Sequence, residues 1–195
     1  ITLYINGTSV GTTTFSNSFS GDSANGGVGG FYSNPGVYYF YGYMSDMRVV
    51  NGTAVYTSNF TPPTAPLTKV TNTKLLANFT NAAMFDQTGK TNVETVGNAQ
   101  LDTSVKKFGT ASAEFDGTGD YLVYPLTSFI EFGSSDWTIE CFVNVDAVST
   151  TYKCIYSASY GVQFYVYNDL LHLAVNDTDN TSGYMISANS GTGIS

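Results

Sequence analysis

Short runs of alternating apolar and polar residues, separated by turn residues, recur along almost the whole chain of 195 residues. Alternation with a period of two is the pattern of a β-strand, and many such runs at regular spacing are typical of an all-β sandwich. No window of the sequence keeps the period of an α-helix, although 81–89 fits a loop with a helical turn. The strands predicted most clearly are 73–79, 99–101, 111–115, 121–124, 137–145, 152–157, 161–167 and 170–175.

Turn residues and composition predict the secondary structure at the beginning of the chain. Asn6 and Gly7 lie between two strand-like runs, which is a strong signal for a β-hairpin that pairs 2–5 with 8–13. Residues 16–30 are rich in Gly, Ser and Asn, and this composition predicts a surface loop. The Tyr-rich run that follows, 37–50, is predicted as one long strand.

A Pro-rich stretch divides the chain. Pro62, Pro63 and Pro66 lack the backbone donor that a β-ladder needs, so this stretch cannot continue a strand. We therefore predict a linker at 65–72 between a segment 1–64 and a segment 73–195.

The charge and the hydropathy of the chain each argue against one class of partner. Its 15 acidic and 7 basic residues give a net charge of −8, and clustered bases, which binding to phosphate backbones requires, are missing. No run of about 18 apolar residues is present, so no membrane-spanning helix is expected. We expect the protein neither to bind nucleic acid nor to insert into a membrane.

Two segments of the chain resemble a known family. Residues 41–64, which contain Ser45 and Asp46, resemble the closing strand and exit loop of laminin-G-like, concanavalin-A-like jelly-roll domains of phage virion proteins. Residues 107–122, which contain Phe115, Asp116 and Gly117, resemble the strand that opens such a domain. The resemblance implies an antiparallel jelly-roll sandwich. The chain is then either the back half of one domain, 1–64, followed by the front half of the next, 73–195, or a circularly permuted single sandwich.

One strand of the resembling family has no counterpart in the chain. Family domains usually carry a central strand with Trp and His just before the first hairpin, but Trp137 and His172 lie in other contexts. We therefore expect the chain to be cut at this place, so that a sheet has a gap, which another copy or chain fills or which stays a visible edge. Residues 1–5 and 184–186 should then lie beside each other or beside a neighbour.

No set of residues predicts catalysis. Glycoside hydrolysis needs two carboxylates that face each other across a sugar, whereas Glu114, Glu131 and Glu140 fall on separate predicted strands. The Glu-x-Asp-x-x-Glu strand of hydrolases with this fold is absent. His172 is the one candidate base for a nucleophilic triad, and it alternates with Leu as a structural strand residue would. We predict that the chain is not an enzyme.

Calcium is the one metal for which the sequence offers candidate ligands, and no other cofactor is predicted. Ca²⁺ binds six to eight oxygen ligands. The resemblance implies Asp46, before the closing strand, as a ligand, with Asp116 and Asp120 contributing from the opening strand. The alternative is structural: Asp116 caps a turn, and Asp46 pairs with Arg48 or a backbone donor.

Exposed aromatic residues beside Asn and Asp could bind sugars, because an aromatic ring stacks on the apolar face of a pyranose. The candidates near the strands that line the concave face in relatives are Tyr160, Tyr165, Tyr167 and Tyr184. The resemblance implies a non-enzymatic adhesion or structural module of a virion or extracellular fibre, which binds glycans of a host cell surface or assembles with copies of itself or neighbouring domains. The alternative is an accessory carbohydrate-binding part of a polysaccharide hydrolase.

The chain has 2 cysteines, Cys141 and Cys154. Pairing the runs 137–145 and 152–157 as a hairpin puts these residues directly opposite each other. They could form a cross-strand disulfide or remain two buried thiols.

Overall fold

The computed structural model describes residues 1–15, 25–31, 38–125, 132–146, 150–158, 161–176 and 183–189. Within these ranges the chain is all-β, without a helix, and so without one that is long and apolar enough to cross a membrane. The strands in chain order are β1 (Thr2–Ile5), β2 (Thr8–Thr12), β3 (Asn25–Val28), β4 (Tyr41–Asn51), β5 (Thr73–Ala77), β6 (Glu94–Val96), β7 (Gln100–Asp102), β8 (Ser112–Asp116), β9 (Tyr121–Pro125), β10 (Trp137–Val145), β11 (Lys153–Ala158), β12 (Val162–Tyr167), β13 (Leu170–Asn176) and β14 (Gly183–Asn189).

The strands form two antiparallel sheets and one hairpin. The seven-stranded sheet has the order β14-β13-β12-β11-β3-β9-β6. The five-stranded sheet has the order β10-β4-β8-β7, and β5 also pairs with β4, beyond the end of β8. The hairpin β1-β2 forms from the residues that its Asn-Gly turn predicts, with Asn6 and Gly7 both at positive φ. The prediction of an all-β, antiparallel architecture is confirmed.

Both sheets combine strands from the two sides of the Pro-rich stretch. In the seven-stranded sheet, β3 pairs with β11 on one edge and β9 on the other. In the five-stranded sheet, β4 pairs with β10, β5 and β8. The strands of 1–64 therefore find their partners in 73–195.

The inner faces of the two sheets share one apolar core. Met44 and Val49 of β4 and Phe115 of β8 belong to the same buried cluster as Leu122 of β9 and Val162 of β12. This arrangement is that of a β-sandwich, in which apolar side chains at alternate positions of each strand meet in the middle.

A strand of glycine lies at the centre of the seven-stranded sheet, where we predicted a surface loop. Residues 16–24 lie outside the described part, but the loop prediction is wrong for residues 25–28, which form β3. A Cβ atom on Gly26 would lie 2.4 Å from the Tyr124 ring, and one on Gly27 would lie 2.4 Å from the carbonyl oxygen of Gly30. Glycine is required here by close packing, not by a turn.

The predicted hairpin between the two cysteine-bearing runs is also wrong. Cys141 lies in β10, which pairs with β4, and Cys154 lies in β11, which pairs with β12 and β3. Both cysteines are free, and burial raises the pKa of each thiol to about 12. The local turn did not decide the pairing, because strands that follow each other in sequence can belong to opposite sheets of a sandwich.

Near the first hairpin, two strands of the described part of the chain each pair on one side only. Among the described residues, β10 pairs only with β4, and β1 pairs only with β2. On its other side, β2 lies beside β14, so close that a Cβ on Gly11 would be 2.4 Å from Cγ2 of Ile186. The two ends that we expected to be neighbours, 1–5 and 184–186, are therefore separated only by β2.

Candidate functional site

The structure brings two of the three predicted calcium ligands together. Asp120 is buried, and its carboxylate accepts hydrogen bonds from the backbone N–H of Asn98 (2.8 Å) and of Asp116 (3.0 Å). The Asp116 carboxylate is exposed and accepts one from the backbone N–H of Thr118 (2.7 Å). One oxygen of Asp120 therefore holds the turn that joins β8 to β9, and the other ties this turn to the one between β6 and β7.

Asp46 lies apart from that pair. Tyr41 pairs with Asp116 across the β4–β8 ladder, and Asp46 is five residues further along β4, or about 16 Å at the rise of a strand. Among the described residues, no group of three or more His, Cys, Asp or Glu is placed to share a metal ion. Calcium binding by Asp46, Asp116 or Asp120 stays a prediction.

Asp46 has a structural partner of the kind that the sequence left open. Its Oδ1 accepts hydrogen bonds from the backbone N–H of Leu67 (2.9 Å) and from the side-chain amide of Asn78, and its Oδ2 is buried without a partner. Burial raises the pKa of the Asp46 carboxyl, and the two hydrogen bonds oppose part of that rise. Arg48 pairs with Glu140 instead.

Aromatic side chains gather on the seven-stranded sheet. We call Phe31, Tyr38, Tyr152 and Tyr167 the tyrosine surface. The Tyr152 ring stacks on Tyr167 with centroids 4.5 Å apart and meets the edge of Tyr38 at 4.8 Å, while Phe31 meets Tyr38 at 6.1 Å. Tyr38 and Tyr152 are each 38% exposed, so part of this surface is open to solvent.

A buried pair supports the tyrosine surface from the side of the sheet. Tyr165 is only 8% exposed and stacks on His172 at 5.0 Å, with 7° between the ring planes. Burial, and then the neighbouring Tyr152, raise the pKa of Tyr165 to about 12. Tyr165, predicted to contact a sugar, is therefore placed behind the surface.

Both ring nitrogens of His172 have partners. Nε2 lies 3.2 Å from the carbonyl oxygen of Tyr167, which can only accept, so Nε2 carries the proton in that hydrogen bond. Nδ1 then accepts from the Ser187 hydroxyl at 2.8 Å. These bonds hold the ring in a single orientation, which agrees with the structural role predicted for His172 from its sequence context.

Of the other predicted sugar-binding residues, the structure places only one on the surface. Tyr167 belongs to the tyrosine surface. Tyr160 lies outside the described residues, and Tyr184 lies in β14 with its side chain outside the described part. Tyr38 and Tyr152 were missed. The register that pairs Lys153 with Val166 makes Tyr152 a neighbour of Tyr167, but that register became visible only in the structure.

Polar groups lie next to the tyrosine surface. Asn168 and Asp169 form the turn between β12 and β13, both at positive φ (49° and 62°), and both are exposed. Positive φ at both central residues is the type I′ geometry of tight hairpins. The turn thus places an amide and a carboxylate directly after Tyr167.

The carboxylates that could take part in catalysis are engaged in structural contacts. Arg48 donates to Oε1 of Glu140 through Nε (2.7 Å) and Nη2, and Tyr56 donates to Oε2 at 3.0 Å. Glu114 accepts from Gln100 at 3.0 Å. Glu131 lies outside the described residues. Glu140 and Glu114 lie on strands separated by β4.

A groove of about 860 Å³ opens between β1 and β10, and we call it the edge groove. Its walls are the two strand edges, and its floor includes Ile155, Phe164, Leu171 and Leu173 of the seven-stranded sheet. The groove is also lined by Tyr56, Phe60 and Pro62 of the segment after β4, and by Lys106 and Lys107. None of the tyrosine surface lines it.

No known protein family, curated protein or solved structure matches the chain.

Proposed function

We propose that this protein is a non-enzymatic adhesion module of a virion or extracellular fibre, which binds surface glycans through the tyrosine surface. The observation that carries the proposal is a group of three partly exposed tyrosines beside Asn168 and Asp169, in which the Tyr152 ring stacks on Tyr167 and meets the edge of Tyr38. Aromatic faces and edges can contact the C–H groups of a pyranose. The amide of Asn168 can donate to and accept from its hydroxyls, whereas the carboxylate of Asp169 accepts only.

The rigid support behind this surface favours binding. Tyr165 and His172 stack under it, and the hydrogen bonds from Ser187 and to Tyr167 fix the imidazole. A surface whose side chains are already held in place loses little conformational entropy when a ligand binds.

The backbone of Tyr38 gives independent support. Its φ is +72°, a left-handed conformation that is rare for a bulky residue, and its carbonyl oxygen accepts from the N–H of Cys154 at 3.0 Å. Such strain tends to persist at ligand-binding sites, where a side chain must have a particular direction. Here it directs the Tyr38 ring against Tyr152.

The fold supports the same proposal at a coarser level. Since strands of 1–64 and 73–195 share both sheets, we favour a circularly permuted single sandwich over two halves of neighbouring domains. The jelly-roll connectivity of the laminin-G-like family belongs to this proposal too.

A glycan array tests the function, with Tyr152→Ala as the test variant and Phe85→Ala as its matched control. Phe85 is exposed as well (46%), but it lies on the loop after β5, away from the tyrosine surface. We expect wild type and Phe85→Ala to bind the same glycans, and Tyr152→Ala to bind about tenfold more weakly, as the loss of one stacking contact predicts. Equal binding by both variants would refute the proposal.

An assay for reducing sugars on the glycans that bind tests the non-enzymatic part. No product should be released. Turnover that Glu140→Gln or Glu114→Gln abolishes, in a variant that remains folded, would show a glycan hydrolase instead.

A further inference from the structure

The apolar core of the sandwich is open at the edge groove. Phe164 lies on β12, in the interior of the seven-stranded sheet, between the buried residues Val162 and Val166, yet its own side chain is only half-buried and lines the groove. Opposite it, Ile139 and Val143 of β10 pack against the core and are also only partly buried. Apolar side chains on inner sheet faces are normally covered, because their burial drives folding.

The two walls of the groove are strand edges. The outer edge of β10 extends over 9 residues and pairs with no strand in the described part of the chain, and β1 likewise pairs on one side only. A strand edge presents backbone N–H and C=O groups in a row, and another extended chain satisfies them by adding to the sheet. A groove that has such an edge on both sides and an apolar floor offers the groups that a further strand would pair with and cover.

A small molecule would fit this groove less well. It could cover Phe164 and Leu173, but it could not pair with a row of backbone groups on both walls. An extended peptide does both, because its side chains alternate between the two faces of the sheet. Residues at every second position would contact the floor, and those between them would face solvent.

The rim adds a charge preference. Lys106 and Lys107 are exposed and line the groove, and the Phe108 ring packs on Phe142 at 5.0 Å, which places this pair near the C-terminal end of β10. A strand that runs antiparallel to β10 begins at that end. An acidic residue at its N-terminus would therefore lie close to two ammonium groups.

We infer that the edge groove binds an extended segment of another polypeptide, which inserts as a β-strand between β1 and β10. The segment is apolar at alternate positions and acidic at its N-terminal end. The inference does not depend on the glycan proposal, because the groove and the tyrosine surface share no residue.

A designed peptide tests the inference on the whole chain. The probe is the acetylated and amidated sequence Glu-Val-Thr-Val-Lys-Val-Thr-Val-Ser, which has the length of β10, 9 residues. Trp137 is the one Trp of the chain and lines the groove, so its fluorescence reports insertion. We expect saturable binding with Kd of about 10–100 μM and slower amide hydrogen exchange in both β1 and β10.

Two control peptides separate strand insertion from adhesion of an apolar peptide. Replacing the third Val by Pro removes a backbone donor, and placing the four Val side by side destroys the alternation; each should weaken binding at least about tenfold. Binding of either control with the affinity of the probe would overturn the inference. So would the absence of any saturable signal up to about 1 mM probe, or protection of segments other than β1 and β10.

A charge exchange tests the direction of the strand without disturbing the core. The variant Lys106→Glu/Lys107→Glu should bind the probe several-fold more weakly, and a probe that begins with Lys instead of Glu should restore the affinity. Equal affinity of wild type and of the Lys106→Glu/Lys107→Glu variant for both probes, the one that begins with Glu and the one that begins with Lys, would overturn the charge preference and the antiparallel placement. The variant Tyr152→Ala should bind the probe as wild type does, so failure of the glycan proposal and failure of this one are distinguishable.

Discussion

The most informative perturbation concerns Asp46, where the predicted calcium role and the structural role lead to different results. Asp46 has a φ of +55° in the middle of β4, at the point where the edge partner of that strand changes from β8 to β5. In Asp46→Ala, the backbone N–H of Leu67 loses its acceptor, and the buried amide of Asn78 loses one of its two, keeping the carbonyl oxygen of Leu67. Each unsatisfied donor costs about 1–3 kcal/mol, and alanine tolerates the left-handed backbone less well than aspartate. Removal of the buried charge offsets part of these costs. We therefore expect the unfolding free energy to fall by about 2–4 kcal/mol.

The matched control is Asp46→Asn. Asparagine keeps an oxygen for Leu67 and Asn78, and it adopts left-handed backbone more readily than most residues. It removes the negative charge, whose burial raises the pKa of the carboxyl. Its amide nitrogen replaces Oδ2, which has no partner, so the amide is left without one as well. This cost offsets the stability gained by removing the buried charge. At neutral pH we expect a stability within about 1 kcal/mol of wild type.

The pH dependence has a definite sign. A carboxyl whose pKa is raised in the folded state binds a proton more tightly there than in the unfolded chain, so ionisation destabilises the fold. The stability of wild type that derives from protonated Asp46 is complete below the ordinary pKa of 3.8 and is lost as pH rises through the raised pKa. Asp46→Asn lacks this loss. Its stability relative to wild type should therefore increase as pH rises above about 4.

Urea unfolding of the three proteins at several pH values, with EDTA and with about 1 mM Ca²⁺, measures all of these effects. If Asp46 is structural, Ca²⁺ changes the curves of all three proteins by the same amount or not at all. If it holds a shared ion, Ca²⁺ stabilises wild type and not Asp46→Asn. Equal losses in both variants, or a difference between wild type and Asp46→Asn that stays constant with pH, would refute the reasoning.

Two further predictions concern packing and charge. Gly26→Ala should lower the unfolding free energy in urea by about 2–3 kcal/mol, because its Cβ would overlap the Tyr124 ring. The control is Gly89→Ala, where nothing lies within 4 Å of the added Cβ and the positive φ alone should cost about 1 kcal/mol. Equal losses in the two variants would contradict the packing argument. Glu140→Gln should lower the unfolding free energy by about 3–5 kcal/mol, because it leaves Arg48 buried without its charge partner. The double variant Arg48→Met/Glu140→Gln should recover most of that loss. Strict additivity of the two substitutions in a double-mutant cycle would refute the coupling.

The strands that could be predicted from sequence are those with local signals. The run 137–145 coincides with β10, and the Asn6-Gly7 turn locates the first hairpin within one residue. In both cases alternation and turn chemistry act within a few residues, so neighbours in sequence carry the necessary information.

The features that could not be predicted depend on partners that are far away in the chain. The composition of β3 is that of a loop, and Gly26 becomes a strand residue only because Tyr124 and Ser157 approach it so closely. Tyr38 and Tyr152 meet across more than a hundred residues, so neither their stacking nor their exposure follows from the local pattern. Non-local pairing of this kind is set by the packing of the whole sandwich.

The two proposed surfaces have different physical characters, and that difference fits different roles. The tyrosine surface is backed by Tyr165 and His172 and needs nothing more from the chain to present its side chains. The edge groove is incomplete within the described residues: Phe164 is half-buried there, and one edge of β10 pairs with no other strand, so a segment that covers both would stabilise the fold further. In the roles that we propose, the tyrosine surface would bind its target reversibly, and the edge groove would attach the module firmly to an assembly. Strand insertion suits the second role, since it adds backbone hydrogen bonds and closes the apolar core in one step.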